Sequence, residues 1–184
     1  SLTGPEHLRI TGANGSGKTM LLNAIAHAND SDHRSPVPPA YRVLYRLYNA
    51  AYLPQRITLD PERTLLETVQ RANPGASEQH LRDQLARLLF RRESVRQHIG
   101  ELSGGERFRA ALATVLLTNP VPQLLLLDEP TNNLDISSVD WLVQALDAYT
   151  GALIVVSHDE DFCERIRIDR TLSLSVKTLG EAPC

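Results

Sequence analysis

The sequence has few of the residues that would indicate a disulfide-stabilised, metal-binding or membrane-embedded protein. Its 184 residues include only two cysteines, Cys163 and Cys184, which form neither a disulfide framework nor a metal-binding spacing. No apolar run approaches the roughly 18–20 residues that span a bilayer. The net charge of −3 excludes a global positive field that would attract nucleic acid. We therefore expect a globular protein with reduced thiols in the cytoplasm.

Lysine is nearly absent, since only Lys18 and Lys177 occur and almost all positive charge is arginine. Lys18 stands out for this reason, because it lies in a glycine-rich loop. The hydrophobic content of 42% and the charged content of 22% are ordinary for a protein with a packed core. The length suits one domain, or one domain with a small lobe. The chain begins at Ser1 without a methionine, and we expect it to be a fragment.

The glycine-rich loop follows the first predicted strand, residues 7–11. It reads GANGSGKT at residues 12–19 and precedes a helical pattern at residues 20–28. This matches G-x-x-x-x-G-K-[ST] between a strand and a helix, the context in which the motif binds phosphates. The glycines let backbone N–H groups surround phosphate oxygens, Lys18 adds a positive charge, and Thr19 can bind Mg²⁺. The alternative is a glycine turn with an accidental Lys-Thr pair. The predicted strand before the loop and the predicted helix after it both disfavour this alternative.

Two adjacent acids close a strongly apolar run. Leu124–Leu127 predicts a strand buried on both faces, and Asp128 and Glu129 follow at its carboxyl end, where open α/β sheets place ligands. The alternative is a solvated strand end with a helix cap. A second buried strand, residues 152–156, is followed by His158. We expect His158 to reach the same crevice rather than to be an ordinary core histidine.

Helices are predicted between and after these motifs. Their ranges are 61–72, 77–91, 107–118 and 136–148, with Ser77 as a helix cap and a final strand at 170–176. The segment ELSGGE before the third helix predicts an anion-binding helix start; a capping box between Ser103 and Glu106 is compatible with that role. Residues 30–40 are predicted to form a loop, and residues 180–184 a frayed end.

Tyrosines and arginines leave two surfaces open to more than one interpretation. The tyrosines of residues 41–53 favour β structure with amphipathic outward faces, and nucleic-acid stacking is the alternative. The arginines near the predicted second and third helices favour a solvated basic face, and an RNA-binding or acidic-partner surface is the alternative. These arginines are Arg82, Arg87, Arg91, Arg92, Arg96, Arg107 and Arg109.

Together the motifs resemble an ATP-binding cassette (ABC) ATPase domain over nearly the whole chain. The matching segments are GANGSGKT (12–19), Gln55, the signature LSGGE (102–106), LLLLDEP (124–130), NNLD (132–135) and His158. DEPTNNLD and VSHDEDF most resemble the ABC-F branch, whose members are soluble tandem-cassette proteins that act on ribosomes. Transporter cassettes more often read DEPTSALD, so the ATP-binding subunit of a membrane transporter is the alternative. Met20 and Asn133 depart from the pattern, which usually has a small hydroxyl residue and a histidine there.

The resemblance implies an α/β fold, with a P-loop NTPase core, a mainly parallel sheet and a small helical lobe. The chain would be one nucleotide-binding domain, with residues 1–60 and 103–184 as core and 61–102 as lobe. A complete cassette also has an N-terminal antiparallel β lobe whose aromatic residue stacks on adenine. Only residues 1–11 precede Gly12, so we expect that lobe to be largely missing and ATP affinity to be weak.

The resemblance also implies a role for each matched residue in Mg²⁺-dependent ATP hydrolysis. Glu129 would orient or deprotonate the attacking water, and His158 would hydrogen-bond the γ-phosphate. Thr19, Gln55 and Asp128 would contact Mg²⁺. The phosphates would lie against Gly12, Ala13, Asn14, Gly15, Ser16, Gly17, Lys18, Thr19 and Met20.

The remaining matched residues would act on a second cassette. Ser103, Gly104, Gly105 and Asp135 would face the ATP of a cassette arranged head-to-tail, in the same parent chain or in a homodimer. The isolated chain would then be a weak ATPase. The ribosome is the expected further partner, and a transporter membrane subunit is the alternative.

Overall fold

The computed structural model describes residues 5–27, 49–55, 57–90 and 93–175. The predicted loop at 30–40, the tyrosines before residue 49 and the predicted frayed end at 180–184 lie outside these ranges. So do Arg91 and Arg92, two members of the predicted basic surface.

Five parallel strands form one sheet in the order β2-β3-β4-β1-β5. The strands are β1 (His7–Gly12), β2 (Ala50–Leu53), β3 (Leu124–Asp128), β4 (Ala152–Val156) and β5 (Arg170–Leu174). All five residues of β3 are buried, as its continuous leucine run predicts. The predicted α/β fold with a mainly parallel sheet is therefore confirmed. Since the strands are parallel, their carboxyl ends share one edge of the sheet.

Within the described residues, six α-helices accompany the sheet. They are α1 (Lys18–Ala26), α2 (Leu65–Ala72), α3 (Glu78–Arg87), α4 (Gly104–Leu116), α5 (Ile136–Asp147) and α6 (Glu160–Arg165). All except α1 begin with a side chain that accepts a hydrogen bond from the N–H three residues later: Thr64, Ser77, Ser103, Asp135 and Asp159. The predicted cap at Ser77 and the capping box of Ser103 with Glu106 are both formed.

These caps explain where the predicted helix bounds are wrong. The helix predicted at 61–72 begins at Leu65 because Thr64 caps it, and Asp60 holds the preceding turn by accepting from the Glu62 N–H. The helix predicted from 107 begins at Gly104 for the same reason. Helix α6 is too short to give a clear apolar period and is missing from the prediction.

Helices pack on both faces of the sheet, and β3 shows this directly. Leu125 and Leu127 belong to the apolar cluster that contains residues of α4 and α5, whereas Leu124 and Leu126 pack with Leu22 of α1. Every second side chain therefore meets a different helical layer. A third apolar cluster joins α2 and α3 to one face of α4. The division into a core and a lobe at 61–102 stays a prediction.

Helix α3 ends earlier than predicted because the backbone closes a Schellman motif. Leu89 has a left-handed φ of 61°, and its N–H donates to the Ala86 carbonyl at 3.0 Å. The Phe90 N–H donates to the Leu85 carbonyl at 3.0 Å. This position normally favours glycine, because a side chain is strained there. Leu89 is 65% exposed, so its side chain contributes little packing in return.

Replacing Leu89 with glycine is expected to raise the free energy of unfolding by about 1 kcal/mol, because the left-handed strain disappears. Urea unfolding at constant m-value measures the change. Leu89→Ala is the matched control, since it removes the same apolar surface but keeps a Cβ, and we expect no gain from it. Equal stability of the glycine and alanine variants would contradict this explanation of the helix end.

Candidate functional site

The carboxyl ends of four strands surround one open cleft of about 590 Å³. The phosphate loop follows β1, Gln55 follows β2, Glu129 follows β3 and His158 follows β4. The residues that line the cleft are Asn14, Gly15, Gly17, Lys18, Thr19, Met20, Gln55, Asp128, Glu129, Asn132, Val156 and His158. The structure therefore brings together residues that are as far apart in sequence as 14 and 158.

The phosphate loop needs glycine at both of its ends. Gly12 has a φ of +149°, and a Cβ there would lie 2.5 Å from the Leu174 carbonyl oxygen and 2.7 Å from Ser16 Oγ. Gly17 begins helix α1 with a φ of +90°. Positive φ values of this kind are strained for residues with a side chain. The shape of the loop thus follows from the glycines that the motif contains.

Helix α1 begins without a side-chain cap, unlike the other five α-helices of the described residues. Its first-turn N–H groups and the positive end of its dipole therefore face the cleft without an acceptor side chain. Lys18, which is 9% exposed, donates from Nζ to the carbonyls of Gly12 at 2.8 Å and Ala13 at 3.1 Å. These carbonyls hold the ammonium group within the loop. The donor set fits the phosphates of a nucleotide.

Asp128 presents its carboxylate at the base of the cleft. Its Oδ2 accepts from Thr19 Oγ1 at 2.8 Å and from the Tyr52 hydroxyl at 3.3 Å, and the residue is 4% exposed. A hydroxyl and a carboxylate are the oxygen ligands that Mg²⁺ prefers. Within the described residues, no group of three or more His, Cys, Asp or Glu side chains could hold a metal alone. A Mg²⁺ ion held by Thr19 and Asp128 would take its other ligands from phosphates and water.

The sequence interpretation was wrong for Tyr52, which was grouped with outward-facing tyrosines. Tyr52 pairs with Leu126 in the sheet and packs in the apolar cluster beside α1, so its hydroxyl reaches Asp128. Burial, followed by the negative charge of Asp128, raises the pKa of Tyr52 to about 12. The odd-even alternation of β2 could have indicated this direction once its pairing with β3 was known.

Tyr149 is a second buried tyrosine with a raised pKa, so the dependence of stability on alkaline pH reports on its burial. Burial raises the pKa of Tyr149 to about 12, and its hydroxyl donates to the Pro122 carbonyl at 2.7 Å. Both tyrosines have folded-state pKa values above the unfolded value of about 10. Their contribution to stability is therefore complete below pH 10 and is lost as the pH rises towards 12.

We expect Tyr149→Phe to reduce, but not abolish, the loss of unfolding free energy above pH 10, because burial also raises the pKa of Tyr52 and of the Cys163 thiol. Urea unfolding at several pH values between 9 and 11 measures the slope. The phenylalanine variant also loses the hydrogen bond to Pro122, so it is less stable at pH 7, but that loss is independent of pH. Identical alkaline slopes in the two proteins would refute the assignment.

Glu129 combines an unusual backbone with a position at the cleft. Its φ is 49°, in the left-handed region, and its N–H donates to the Val156 carbonyl at 2.8 Å. Its Oε1 lies 3.3 Å from His158 Nε2, and the side chains are 15% and 61% exposed. Left-handed backbone costs a residue such as glutamate about 1 kcal/mol or more and is often found at functional sites. The strained turn aims the carboxylate of Glu129 at the histidine.

The predicted site residues of the signature, together with Asp135, do not line the cleft. Ser103 caps α4, and a side chain on Gly105 would collide with Ser138 of α5. Asp135 caps α5, and hydrogen bonds from Ser138 and Ser137 hold its pKa below the usual value. Ser103, Gly104, Gly105 and Asp135 therefore belong to a separate surface patch, here called the signature patch. The neighbouring Ile136 is 82% exposed.

Comparison with known proteins finds relatives among the ATP-binding cassette proteins, the family that the sequence motifs resemble. A family profile described as "ABC transporter" matches residues 1–132. The chain is 41% identical over 155 residues to the tylosin resistance ATP-binding protein TlrC of Streptomyces fradiae, covering 84% of this chain and 26% of that protein. It is 34% identical over 161 residues to ABC transporter F family member 5 of Arabidopsis thaliana, covering 88% and 22%.

A solved structure shows the same fold. The structure titled as a model of ribosome-bound archaeal Pelota and ABCE1 aligns with a TM-score of 0.70 and 26% identity, covering 94% of this chain and 28% of that one. The chain thus spans about a quarter of the length of the curated relatives described above. Among the described residues, no helix is both long enough and apolar enough to cross a membrane.

Proposed function

Since this chain belongs to the ABC transporter family of ATP-binding cassettes, and its relatives include members of the F branch, we propose that it is an ATP-hydrolysing cassette that acts on the ribosome by closing against a second cassette. The observation that carries the proposal is the cleft at the strand ends. The cleft is surrounded by the uncapped start of α1, the Lys18 ammonium group and two carboxylates. Of these carboxylates, that of Asp128 is buried and that of Glu129 is partly exposed.

Each part of the cleft has a distinct task in the proposed reaction. The loop amides and Lys18 would bind the phosphates, in the cleft that Glu129 also lines. Thr19 and Asp128, with Gln55, would hold Mg²⁺, which neutralises charge on the phosphate oxygens when bound. Glu129 accepts a hydrogen bond from the attacking water and aims it at the phosphorus. His158 donates a hydrogen bond to a terminal phosphate oxygen, so charge that develops there is stabilised.

A second cassette is proposed because the signature patch lies outside the lining of this cleft. The N-terminus of the thirteen-residue helix α4 is capped by Ser103, and Gly104 beside it is exposed, with open space where a Cβ would lie. A phosphate of another cassette's ATP would meet these groups. In this arrangement Ser103, Gly104, Gly105 and Asp135 of one cassette complete the site of the other, and an isolated chain hydrolyses ATP poorly.

The ribosome is proposed as the partner because of the F-branch relatives and of the ribosome-bound structure that the chain resembles. The test uses the full-length protein with Glu129→Gln, which should keep ATP bound while slowing its hydrolysis. We expect this variant to pellet with ribosomes in Mg·ATP and to stay in the supernatant in Mg·ADP.

The matched control is the double variant with Lys18→Ala, which should not pellet in either nucleotide. Absence of pelleting by a Glu129→Gln protein that has been shown to retain ATP would overturn the ribosomal assignment. Recovery of that protein with a membrane fraction would instead identify it as the ATP-binding subunit of a transporter.

A further inference from the structure

Arg9 is a nearly buried charged residue of β1 that the motifs do not include. It lies three residues before Gly12, and its side chain is 11% exposed. Its guanidinium group forms a bidentate pair with Glu160 at the start of α6, with both distances 2.7 Å. Bidentate pairs of this kind are among the strongest charge-assisted hydrogen bonds and fix the plane of the guanidinium group.

The same guanidinium group holds the backbone next to His158. Arg9 Nε and Nη2 donate to the Ser157 carbonyl at 3.2 and 3.0 Å. Ser157 lies directly after β4 and is 1% exposed, and its Oγ accepts from the Asp159 N–H at 3.1 Å. The ladders of β4 with β1 and with β3 both end at Val156, and Arg9 binds the next carbonyl, in the peptide that leads into His158.

The electrostatics connect Arg9 to the cleft. The hydrogen bond with Glu160, together with the nearby charge of Glu129, raises the pKa of Arg9. The same hydrogen bond lowers the pKa of Glu160, with a smaller contribution from His158. Glu129 therefore lies close enough to Arg9, and His158 to Glu160, for a small electrostatic effect.

We propose that Arg9 is a positioning residue, which orients His158 towards Glu129 and the terminal phosphate by holding the Ser157 carbonyl. The inference rests on the proposed ATP hydrolysis. Arg9 is not among the residues that line the cleft, so its loss should affect turnover and leave nucleotide binding intact. If Arg9 had only a structural role, it would hold α6 against the sheet. The effect of its loss on kcat would then be the same with and without His158.

A double-mutant cycle in the full-length protein separates the two roles. We expect Arg9→Met to lower kcat by about tenfold with KM for ATP changed less than about twofold, since misplacement of a catalytic group has effects of this size or larger. In a His158→Ala background, Arg9→Met should have no further effect. If the fold-decrease in kcat of the double variant equalled the product of the two single decreases, the proposal would be overturned.

Arg165→Met is the matched control. Arg165 also ties α6 to a neighbouring element, through Asp140 of α5 at 2.6 Å, and makes no contact with the Ser157 carbonyl. We expect its kcat to be unchanged. A loss in kcat equal to that of Arg9→Met would show that fastening α6 is sufficient to explain the effect.

Two further measurements keep the test decisive. The stabilisation by Mg·ATP, measured as the shift in Tm, should be the same for Arg9→Met and wild type. If Arg9→Met does not fold, Arg9→Lys replaces it, since lysine can donate one hydrogen bond to Ser157 and should give an intermediate kcat.

If the wild-type protein has no Lys18-dependent turnover, the proposed function fails, and the imidazole NMR resonances of His158 in the nucleotide-free protein decide the inference. A shift of these resonances in Arg9→Met but not in Arg165→Met supports the proposal. Unchanged resonances in both variants refute it.

Discussion

Replacing Lys18 with alanine is expected to remove most of the stabilisation that Mg·ATP gives to this protein. A ligand at one hundred times its Kd stabilises the folded state by about 2.7 kcal/mol. Lys18 supplies the ammonium group at the base of the phosphate loop, where two backbone carbonyls hold it in place. Without this charge, the loop amides alone must bind the phosphates. The measurement is the shift in Tm caused by Mg·ATP.

Lys177→Ala is the control for this prediction, because it removes the other lysine of the chain and changes the net charge equally. We expect it to keep the full nucleotide-dependent shift. An unchanged shift in Lys18→Ala would show that ATP does not bind at the phosphate loop. Because the lysine also bonds to the loop, the stability of each variant without nucleotide is measured first and taken as its own reference.

Replacing Asp128 with asparagine is expected to weaken the binding of Mg²⁺ to the ATP-loaded protein. Asparagine has the same shape and can still accept hydrogen bonds from Thr19 and Tyr52, so the fold should persist. It lacks the negative charge that attracts the metal. The apparent Mg²⁺ affinity, from titration at fixed ATP concentration, should fall by more than about tenfold, since even indirect metal contacts are worth that factor.

The control for this variant is Asp147→Asn, at an acid whose side chain is 69% exposed and pairs only loosely with Arg167 at 3.6 Å. Its Mg²⁺ titration should match that of the wild type. A normal Mg²⁺ affinity in Asp128→Asn would remove Asp128 from the proposed metal site and leave its two hydroxyl contacts as a purely structural arrangement.

The sheet could be predicted because its signals are local. The leucine run of β3 has no polar interruption and can only be buried on both faces, and β4 was predicted with its observed bounds. Helix ends were harder, because they depend on caps and on backbone conformation. The left-handed φ of Leu89 ends α3 although leucine favours helix continuation, and only the folded chain shows that it is tolerated.

The cleft could be predicted in outline because its residues follow strand ends. Asp128, Glu129 and His158 lie at or just after such ends, Lys18 follows β1 through the phosphate loop, and the parallel order of the sheet places them on one edge. The roles of these residues remain part of the proposed function. The left-handed backbone of Glu129 was not predictable, since glutamate is not a residue that favours this conformation.

Tyr52 and Arg9 were missed because their contacts are long-range. Tyr52 reaches Asp128 across a strand pair, and Arg9 reaches Ser157 from a neighbouring strand. Neither residue belongs to a motif with regular spacing, so the sequence contains no local sign of its partner. The strand order had to be known before either contact could be inferred.

ATP turnover by the full-length protein, compared between wild type and Glu129→Gln, shows whether the cleft hydrolyses ATP through Glu129. We expect kcat to fall by at least about 100-fold, the usual size of a lost general base or water-orienting group, with ATP binding preserved. Glu164→Gln, at an exposed position on α6, should behave as wild type. Turnover by Glu129→Gln within about twofold of the wild type would contradict the account, because the cleft would then hydrolyse ATP without the residue assigned to the reaction.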